Sequence, residues 1–96
     1  MFYVYCLESE KCEELYFGYT NNLKRRFKEH NQGLNFSTKR YVPWKLIYYE
    51  ACLNENDAKR REKYLKTSTG RRMFRRRIIE YIKNFLNIEV FLKNFS

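Results

Sequence analysis

The sequence has few of the residues that usually interrupt helices and strands. It contains 3 glycines and 1 proline in 96 residues, and it has no repeat, no low-complexity segment and no Gly/Ser-rich linker. The length and this lack of linkers predict one domain with one core. We place the domain at residues 1–86. A C-terminal tail at residues 87–96 is compatible with either a strand or a helix extension.

Long apolar runs and metal-binding cysteine patterns are also missing. No stretch approaches the ~18 consecutive apolar residues of a membrane-spanning helix. The first seven residues lack the basic segment and cleavage site of a signal peptide, so we expect a cytoplasmic protein without a membrane partner. Cys6, Cys12 and Cys52 match no zinc-ligand spacing, and we expect free buried thiols.

Acidic residues are outnumbered by basic ones. Lys and Arg total 20 against 11 Asp and Glu, which gives a formal net charge of +9. Such an excess favours nucleic acid or an anionic membrane surface as a partner, although it can also serve solubility alone. With 9 tyrosines and 8 phenylalanines, the chain can still build a packed core, and some tyrosines are expected to do more than pack.

Hydrophobic periodicity predicts the order strand, strand, helix, strand, helix, helix. The strands are predicted at residues 2–7, 15–19 and 45–52, and the helices at 22–32, 54–67 and 71–86. Gly33 is expected to end the first helix, and the run Ser68, Thr69, Gly70 to separate the last two. Because each helix must bury an apolar stripe, the fold class is α/β, a small sheet flanked by helices.

Two polar residues fall on the inward side of the first helix. At about 100° per residue, Leu23 and Phe27 define its inward stripe, and Arg26 and His30 lie on or beside it. The outward side carries Lys24, Arg25 and Lys28. The pair Arg26 and His30 is therefore predicted to point toward the sheet. An arginine that reaches back to solvent and a hydrogen-bonded boundary histidine would explain the same pattern.

The second helix shows a similar anomaly at Glu62. This glutamate lies between Ala58 and Leu65 on the inward face. An inward carboxylate must be paired, protonated or bound to a metal, because an uncompensated buried charge costs several kcal/mol. A salt bridge to Arg26 or Arg61 and a metal site are both open interpretations.

Together these residues suggest chemistry on a phosphodiester. Tyr5 and Tyr16 lie on adjacent predicted strands and can reach the same end of the sheet. Hydrolysis needs a positioned water, a proton acceptor and positive charge around the phosphorus. A metal on Glu62 and the guanidinium of Arg26 would supply the charge. A tyrosine or His30 would take the proton.

Four segments with matching order and spacing resemble the GIY-YIG endonuclease superfamily. They are Tyr3-Val4-Tyr5, Tyr16-Phe17-Gly18, residues 22–31 and residues 58–66. The resemblance covers roughly residues 2–74. It is greatest to small stand-alone bacterial members related to the N-terminal nuclease domain of excision-repair nucleases.

The resemblance implies a small α/β sandwich with a three-stranded antiparallel sheet. It also implies hydrolysis of a nucleic-acid backbone, usually DNA, with one Mg²⁺ or Mn²⁺ ion. Tyr5 and Tyr16 match the motif tyrosines, one of which orients or deprotonates the water. Gly18 matches the glycine that keeps the strand open beside the site.

The helices supply the remaining matches. Arg26 matches the phosphate-binding arginine, His30 a histidine found in part of the family, and Glu62 the metal-binding glutamate. Two positions depart from the pattern: Tyr3 replaces the leading glycine of the first motif, and Tyr19 replaces a lysine of repair-type members.

Basic residues are expected to position the substrate through its phosphates. The candidates are Lys24, Arg25, Lys28, Lys39, Arg40, Arg71 and Arg72. No base-reading motif is apparent, so structure-selective or weakly selective binding is predicted. The resemblance to excision-repair nucleases implies an endonuclease linked to DNA repair or recombination. The alternatives are a nucleic-acid-binding module with little or no turnover, and a protein-interaction domain that uses Phe91 and Phe95.

Overall fold

The computed structural model describes residues 1–84, and its elements follow the predicted order. The strands are β1 (Phe2–Ser9), β2 (Leu15–Thr20) and β3 (Trp44–Cys52), and the helices are α1 (Leu23–Asn31), α2 (Glu55–Leu65) and α3 (Ser68–Arg77). A short 3-10 turn at Lys39–Tyr41 precedes β3, and residues 79–84 are again helical. The predicted α/β fold is confirmed.

The three strands form an antiparallel sheet in the order β2-β1-β3. The central strand β1 buries Val4 and Cys6 on one face and Tyr5 and Leu7 on the other. Burial on both faces explains why its sequence is apolar without alternation. One register shift lies between β1 and β3 beside Cys6 and Leu7.

Helices α1 and α2 lie on opposite faces of the sheet. Leu23 and Phe27 of α1 pack against the cluster that contains Tyr5 and Leu7. Glu50 of β3 pairs with Val4 in register, so it belongs to the other face, where α2 supplies its ion-pair partner. Burying a large apolar side chain contributes about 1.5–3 kcal/mol, so this sandwich is held mainly by its two apolar layers.

The boundary between α2 and α3 differs from the prediction. Ser68, Thr69 and Gly70 were expected to break the chain, but they form the first turn of α3. The Thr67 side chain caps this helix by accepting a hydrogen bond from the Gly70 N–H at 3.0 Å. The cap satisfies an N–H that has no partner within the helix. A segment whose sequence resembles a loop can therefore begin a helix.

The cysteine prediction was correct in part. None of the three cysteines forms a disulfide, but only Cys6 is buried, whereas Cys52 is half-buried and Cys12 is exposed. Cys12 lies in the polar connection between β1 and β2, where no apolar layer can cover it. Within residues 1–84, no group of three or more His, Cys, Asp or Glu side chains is arranged to hold a metal.

The chain divides into two compact units. The first, Met1–Tyr64, contains the sheet, α1 and most of α2. The second begins at Leu65 and contains α3, in which Phe74 is buried and Ile78 is half-buried. The predicted stripe residue Phe85 and the tail at 87–96 lie outside the described residues. Among residues 1–84, the helices are too short or too polar to cross a bilayer.

Candidate active site

The ring of Tyr5 lies across Gly18, its partner in the neighbouring strand. Tyr5 and Gly18 are paired in register between β1 and β2. A Cβ placed on Gly18 would overlap the Tyr5 hydroxyl, lying 2.5 Å from Tyr5 Cζ and 3.0 Å from Tyr16 Cε1. The resemblance implied that Gly18 keeps the strand open here, and the structure shows that Tyr5 approaches this glycine closely. The glycine makes room for the two motif tyrosines.

His30 links Tyr5 to the loop that follows α1. The Tyr5 hydroxyl lies 2.8 Å from His30 Nε2, and Thr38 Oγ1 lies 2.8 Å from His30 Nδ1. His30 is fully buried, and Thr38 is nearly so. The ring of Tyr16 also packs on His30, with 5.0 Å between their centroids. The imidazole is thus held on both nitrogens and against an aromatic ring.

Burial shifts the protonation of this pair. Desolvation, with the positive charge of Arg26 second, lowers the pKa of His30 from 6.5 to about 4. Burial likewise raises the pKa of Tyr5 well above its usual range, and the charge of Tyr16 acts in the same direction. A hydrogen bond with Arg26 opposes that rise. At neutral pH, the pair is therefore a protonated phenol beside a neutral imidazole.

Arg26 is half-buried at the entrance to this cluster. Desolvation acts to lower its pKa, but hydrogen bonds with Tyr5 and Glu29 and the charges of Tyr5 and Tyr16 together outweigh it, so the pKa is raised. The same guanidinium lies 3.5 Å from the Glu29 carboxylate, one turn along α1. The predicted orientation of Arg26 and His30 toward the sheet agrees with these contacts.

Glu62 on α2 is half-buried. Its negative charge contributes to the raised pKa values of both Tyr5 and Tyr19, so its carboxylate lies within electrostatic reach of both hydroxyls. The role of Glu62 as a metal ligand stays a prediction.

The arginine next to Glu62 has a structural role. Arg61 holds Glu50 of β3 through Nη2 at 2.8 Å and Nε at 3.1 Å, a two-pronged ion pair. This hydrogen bond raises the pKa of Arg61. The pair fixes α2 on the sheet and so orients the helix that carries Glu62.

The predicted substrate-binding residues occupy different places. Lys24, Arg25 and Lys28 are exposed on the outer side of α1, as expected. Lys39 and Arg40 lie in the 3-10 turn, where Lys39 Nζ lies 4.9 Å from the centroid of the exposed Phe36 ring. Arg71 and Arg72 are exposed on α3, in the second unit.

Thr38 was not identified from the sequence. It lies in the connection between α1 and the 3-10 turn, at residues 32–38, and nothing local distinguishes it from Ser37. Its partner His30 was the only available signal, because a buried histidine needs a hydrogen-bond partner on each nitrogen. Trp44 encloses the loop by donating from Nε1 to the Thr38 carbonyl at 3.0 Å.

Known proteins resemble this chain in sequence. The model of the GIY-YIG catalytic domain matches residues 1–77. A UPF0213 protein of Clostridium perfringens is 46% identical over 70 residues, covering 72% of this chain and 74% of the relative. A UPF0213 protein of Streptococcus agalactiae is 38% identical over 88 residues, covering 88% and 91%.

A further similarity is to a larger protein. The structure-specific endonuclease subunit SLX1 homolog of Giardia intestinalis is 38% identical over 55 residues, which cover 51% of this chain and 15% of that protein. No solved structure shows significant similarity to the chain.

Proposed function

The chain belongs to the GIY-YIG catalytic domain family, whose members are nucleases that hydrolyse phosphodiester bonds, and we propose that it is a divalent-metal-dependent DNA endonuclease. One observation carries the proposal. Side chains from β1, β2 and α1 converge around the Tyr5 hydroxyl, and the charge of Glu62 on α2 reaches the same point.

The cluster supplies the groups that hydrolysis needs. Arg26 presents a guanidinium at the half-buried entrance, where it would bind a phosphate and stabilise the negative charge that develops on it. Tyr5 and Tyr16 lie with ring centroids 6.3 Å apart and would orient the attacking water between phenol and phosphate. Removing such a group typically costs two or more orders of magnitude in rate.

The protonation of the pair suggests how the proton moves. Because Tyr5 stays protonated and His30 stays neutral at neutral pH, the base is not a phenolate that exists before the reaction. Instead, the water gives its proton to the Tyr5 oxygen while Tyr5 passes its own proton to His30 Nε2. The negative phosphate would offset the second positive charge beside Arg26. Thr38 keeps the imidazole in position throughout.

The residues fit a site for one hard cation with few protein ligands better than a site in which protein side chains supply every ligand. Glu62 is a carboxylate, the ligand type that Mg²⁺ and Mn²⁺ prefer. Within residues 1–84 it belongs to no cluster of three metal-binding side chains, so water and phosphate oxygens would complete the coordination. When bound, the ion would act as a Lewis acid on the phosphate.

The positive charge supports DNA as the substrate, and we propose that the enzyme acts in the cytoplasm. The net charge of +9 and the exposed basic side of α1 favour a polyanion, and phosphate contacts would position it without reading sequence. A relative is named a structure-specific endonuclease, which agrees with selectivity for structure and with a role in repair or recombination.

Cleavage assays test the proposal directly. Branched, nicked and linear DNA are incubated with protein and Mg²⁺ or Mn²⁺, with Glu62→Gln as the inactive variant. Asp57→Asn is the matched control, because Asp57 is an exposed carboxylate of the same helix that pairs with Arg60. We expect nicking by wild type and D57N only. Equal nicking by Glu62→Gln would show that the activity comes from a contaminant and would refute the proposal.

A second candidate is a nucleic-acid-binding module with little turnover. The Tyr19 hydroxyl, at the position of the family lysine, donates to Glu55 Oε2 at 2.8 Å, and this hydrogen bond raises the Tyr19 pKa. A phenol held in this way does not replace an ammonium beside Tyr16. This candidate predicts salt-sensitive binding without cleavage on any substrate, and Glu62-dependent product formation would exclude it.

A further inference from the structure

An open groove lies on the α1 face of the sheet, beside the Tyr5 cluster. Its volume is about 550 Å³, within the usual range of ligand sites. Its lining comprises Tyr3, Asn21, Asn22, Leu23, Lys24, Phe27, Leu46 and Tyr49. The catalytic residues considered above do not line it. The groove combines an apolar floor, two tyrosines and one lysine.

The two tyrosines form an aromatic wall. Tyr3 and Tyr49 meet edge to face, with ring centroids 6.1 Å apart and planes at 64°. Tyr49 is 56% exposed, although it lies on the face of the sheet that α1 covers elsewhere. Tyr3 stands where the family pattern has glycine. Exposed aromatic surface in a concave site indicates a ligand with a flat apolar face.

The opposite side of the groove favours a negative charge. It is formed by the N-terminus of α1, where Asn22 caps the helix and the first turn contains no acidic residue. The exposed Lys24 lies in that first turn. The helix dipole and the ammonium of Lys24 would together attract a phosphate. The groove thus pairs an aromatic wall with an anion-binding wall.

Register places the groove next to the candidate active site. Tyr49 lies directly opposite Tyr5 in the pairing of β1 with β3. Strands in a sheet are about 4.8 Å apart, and the Tyr5 hydroxyl lies over Gly18 of β2, so about two strand spacings separate it from Tyr49 of β3. A short single-stranded segment can span this distance. A single occupant can therefore reach both places.

We propose that this groove is a subsite that stacks one unpaired nucleobase of the substrate on Tyr3 and Tyr49, with its phosphate toward Lys24. The inference rests on the proposed function and specifies the substrate class: nucleic acid with an unpaired nucleotide next to the bond that is cut. Bases in a continuous duplex have both faces covered by their neighbours, so only a flap, gap or single strand can supply a free face.

Binding measurements without metal test this subsite separately from cleavage. Fluorescence anisotropy in EDTA compares labelled oligothymidine with a blunt duplex of the same length. We expect Tyr49→Leu and Tyr3→Leu to weaken single-strand binding by about fivefold or more and to leave duplex binding unchanged. Tyr49→Phe and Tyr3→Phe keep the ring and should bind like wild type.

Two control variants separate stacking from charge and from general loss of an aromatic residue. Tyr64→Leu removes a 36% exposed tyrosine from α2, outside the groove, and should change neither affinity. Lys24→Gln should weaken single-strand binding and lower its slope of log affinity against log salt by about 1. A loss in Tyr49→Leu that is equal for duplex and single strand would overturn the stacking assignment.

Photocrosslinking uses only the wild-type protein, so its result does not depend on whether the variants fold. Wild-type protein is irradiated with an oligonucleotide that contains 5-iododeoxyuridine, and the adduct is mapped by mass spectrometry. Adducts at Tyr3 or Tyr49 support the subsite, and adducts confined to other residues overturn it. Failure to cut any DNA would refute the nuclease proposal alone, whereas Glu62-dependent cutting with unchanged binding by both leucine variants would refute this inference alone.

Discussion

The Tyr5 hydroxyl lies 2.8 Å from His30 Nε2, although 25 residues separate them in the chain. This contact joins the central strand to α1 inside the protein, and it is the step through which a proton would leave the attacking water. Replacing Tyr5 by phenylalanine keeps the ring over Gly18 and removes the oxygen. We expect Tyr5→Phe to lower the cleavage rate at least about a hundredfold with little change in DNA binding.

The comparison for this prediction is Tyr49→Phe, which removes an exposed hydroxyl one strand away. Single-turnover cleavage and anisotropy binding separate rate from affinity. A Tyr5→Phe protein that cuts at the wild-type rate would show that the hydroxyl takes no part in the reaction.

Thr38 is predicted to act by positioning His30. Thr38→Val removes the hydroxyl at 2.8 Å from Nδ1 in a site where neither residue contacts solvent. A buried nitrogen without its partner costs about 1–3 kcal/mol, so the melting temperature should fall. Cleavage should fall while DNA binding is kept, and Thr38→Ser should restore both. If valine lowers stability but leaves the cleavage rate and its pH profile unchanged, the residue is merely structural.

Gly18 is predicted to be coupled to Tyr5. Gly18→Ala places a methyl group against the Tyr5 hydroxyl and should cost about 1–3 kcal/mol of unfolding free energy, with loss of cleavage. In a double-mutant cycle with Tyr5→Ala, most of this cost should disappear, since the methyl group then fills the vacated space.

Gly33→Ala is the control for that cycle. Gly33 has φ 73°, and the nearest atom to an added Cβ is Lys39 Cβ at 3.9 Å. Its cost comes from the left-handed backbone conformation, about 1 kcal/mol, and should be the same with or without Tyr5. Equal coupling at both glycines would contradict the close approach at Gly18.

His30 predicts how stability depends on pH. Burial lowers its folded pKa from 6.5 to about 4, so between these values only the unfolded chain binds the proton. The free energy of unfolding should therefore fall as pH falls from 6.5 to 4, by up to about 3 kcal/mol. The stabilising contribution is complete above pH 6.5.

Two measurements check this window. Because the chain has a single histidine, its imidazole proton resonances can be followed by NMR without assignment and should titrate near pH 4. Urea unfolding across the same range should show a shallower pH dependence in His30→Gln than in wild type. A titration near pH 6.5 would mean that the ring is solvated.

The exposed basic side of α1 predicts salt-dependent binding. Changing Lys24, Arg25 and Lys28 together to glutamine should lower the slope of log affinity against log salt by about 2–3, one for each lost phosphate contact. The cleavage rate at saturating DNA should be unchanged, because these exposed side chains would contribute to binding and not to the reaction at the Tyr5 hydroxyl. An unchanged slope would assign the phosphate contacts to other residues.

Sequence reasoning succeeded where the governing interactions are local. The order of strands and helices follows from hydrophobic spacing, and the inward positions of Arg26 and His30 follow from the pitch of α1. The predicted helix boundary was wrong at Ser68–Gly70, because Ser, Thr and Gly are found both in loops and at the starts of helices. The hydrogen bond from the Gly70 N–H to Thr67 decides between these two states.

The amino-acid sequence by itself determined the α/β element order, the positive net charge and the face of α1 on which Arg26 and His30 lie. Periodicity and net charge need no knowledge of distant neighbours. Only the tertiary structure decided that Thr38 holds His30, that Tyr5 fills the space above Gly18 and that Tyr3 meets Tyr49. Each of these contacts depends on strand register or loop path, which bring together residues whose local sequences carry no record of one another.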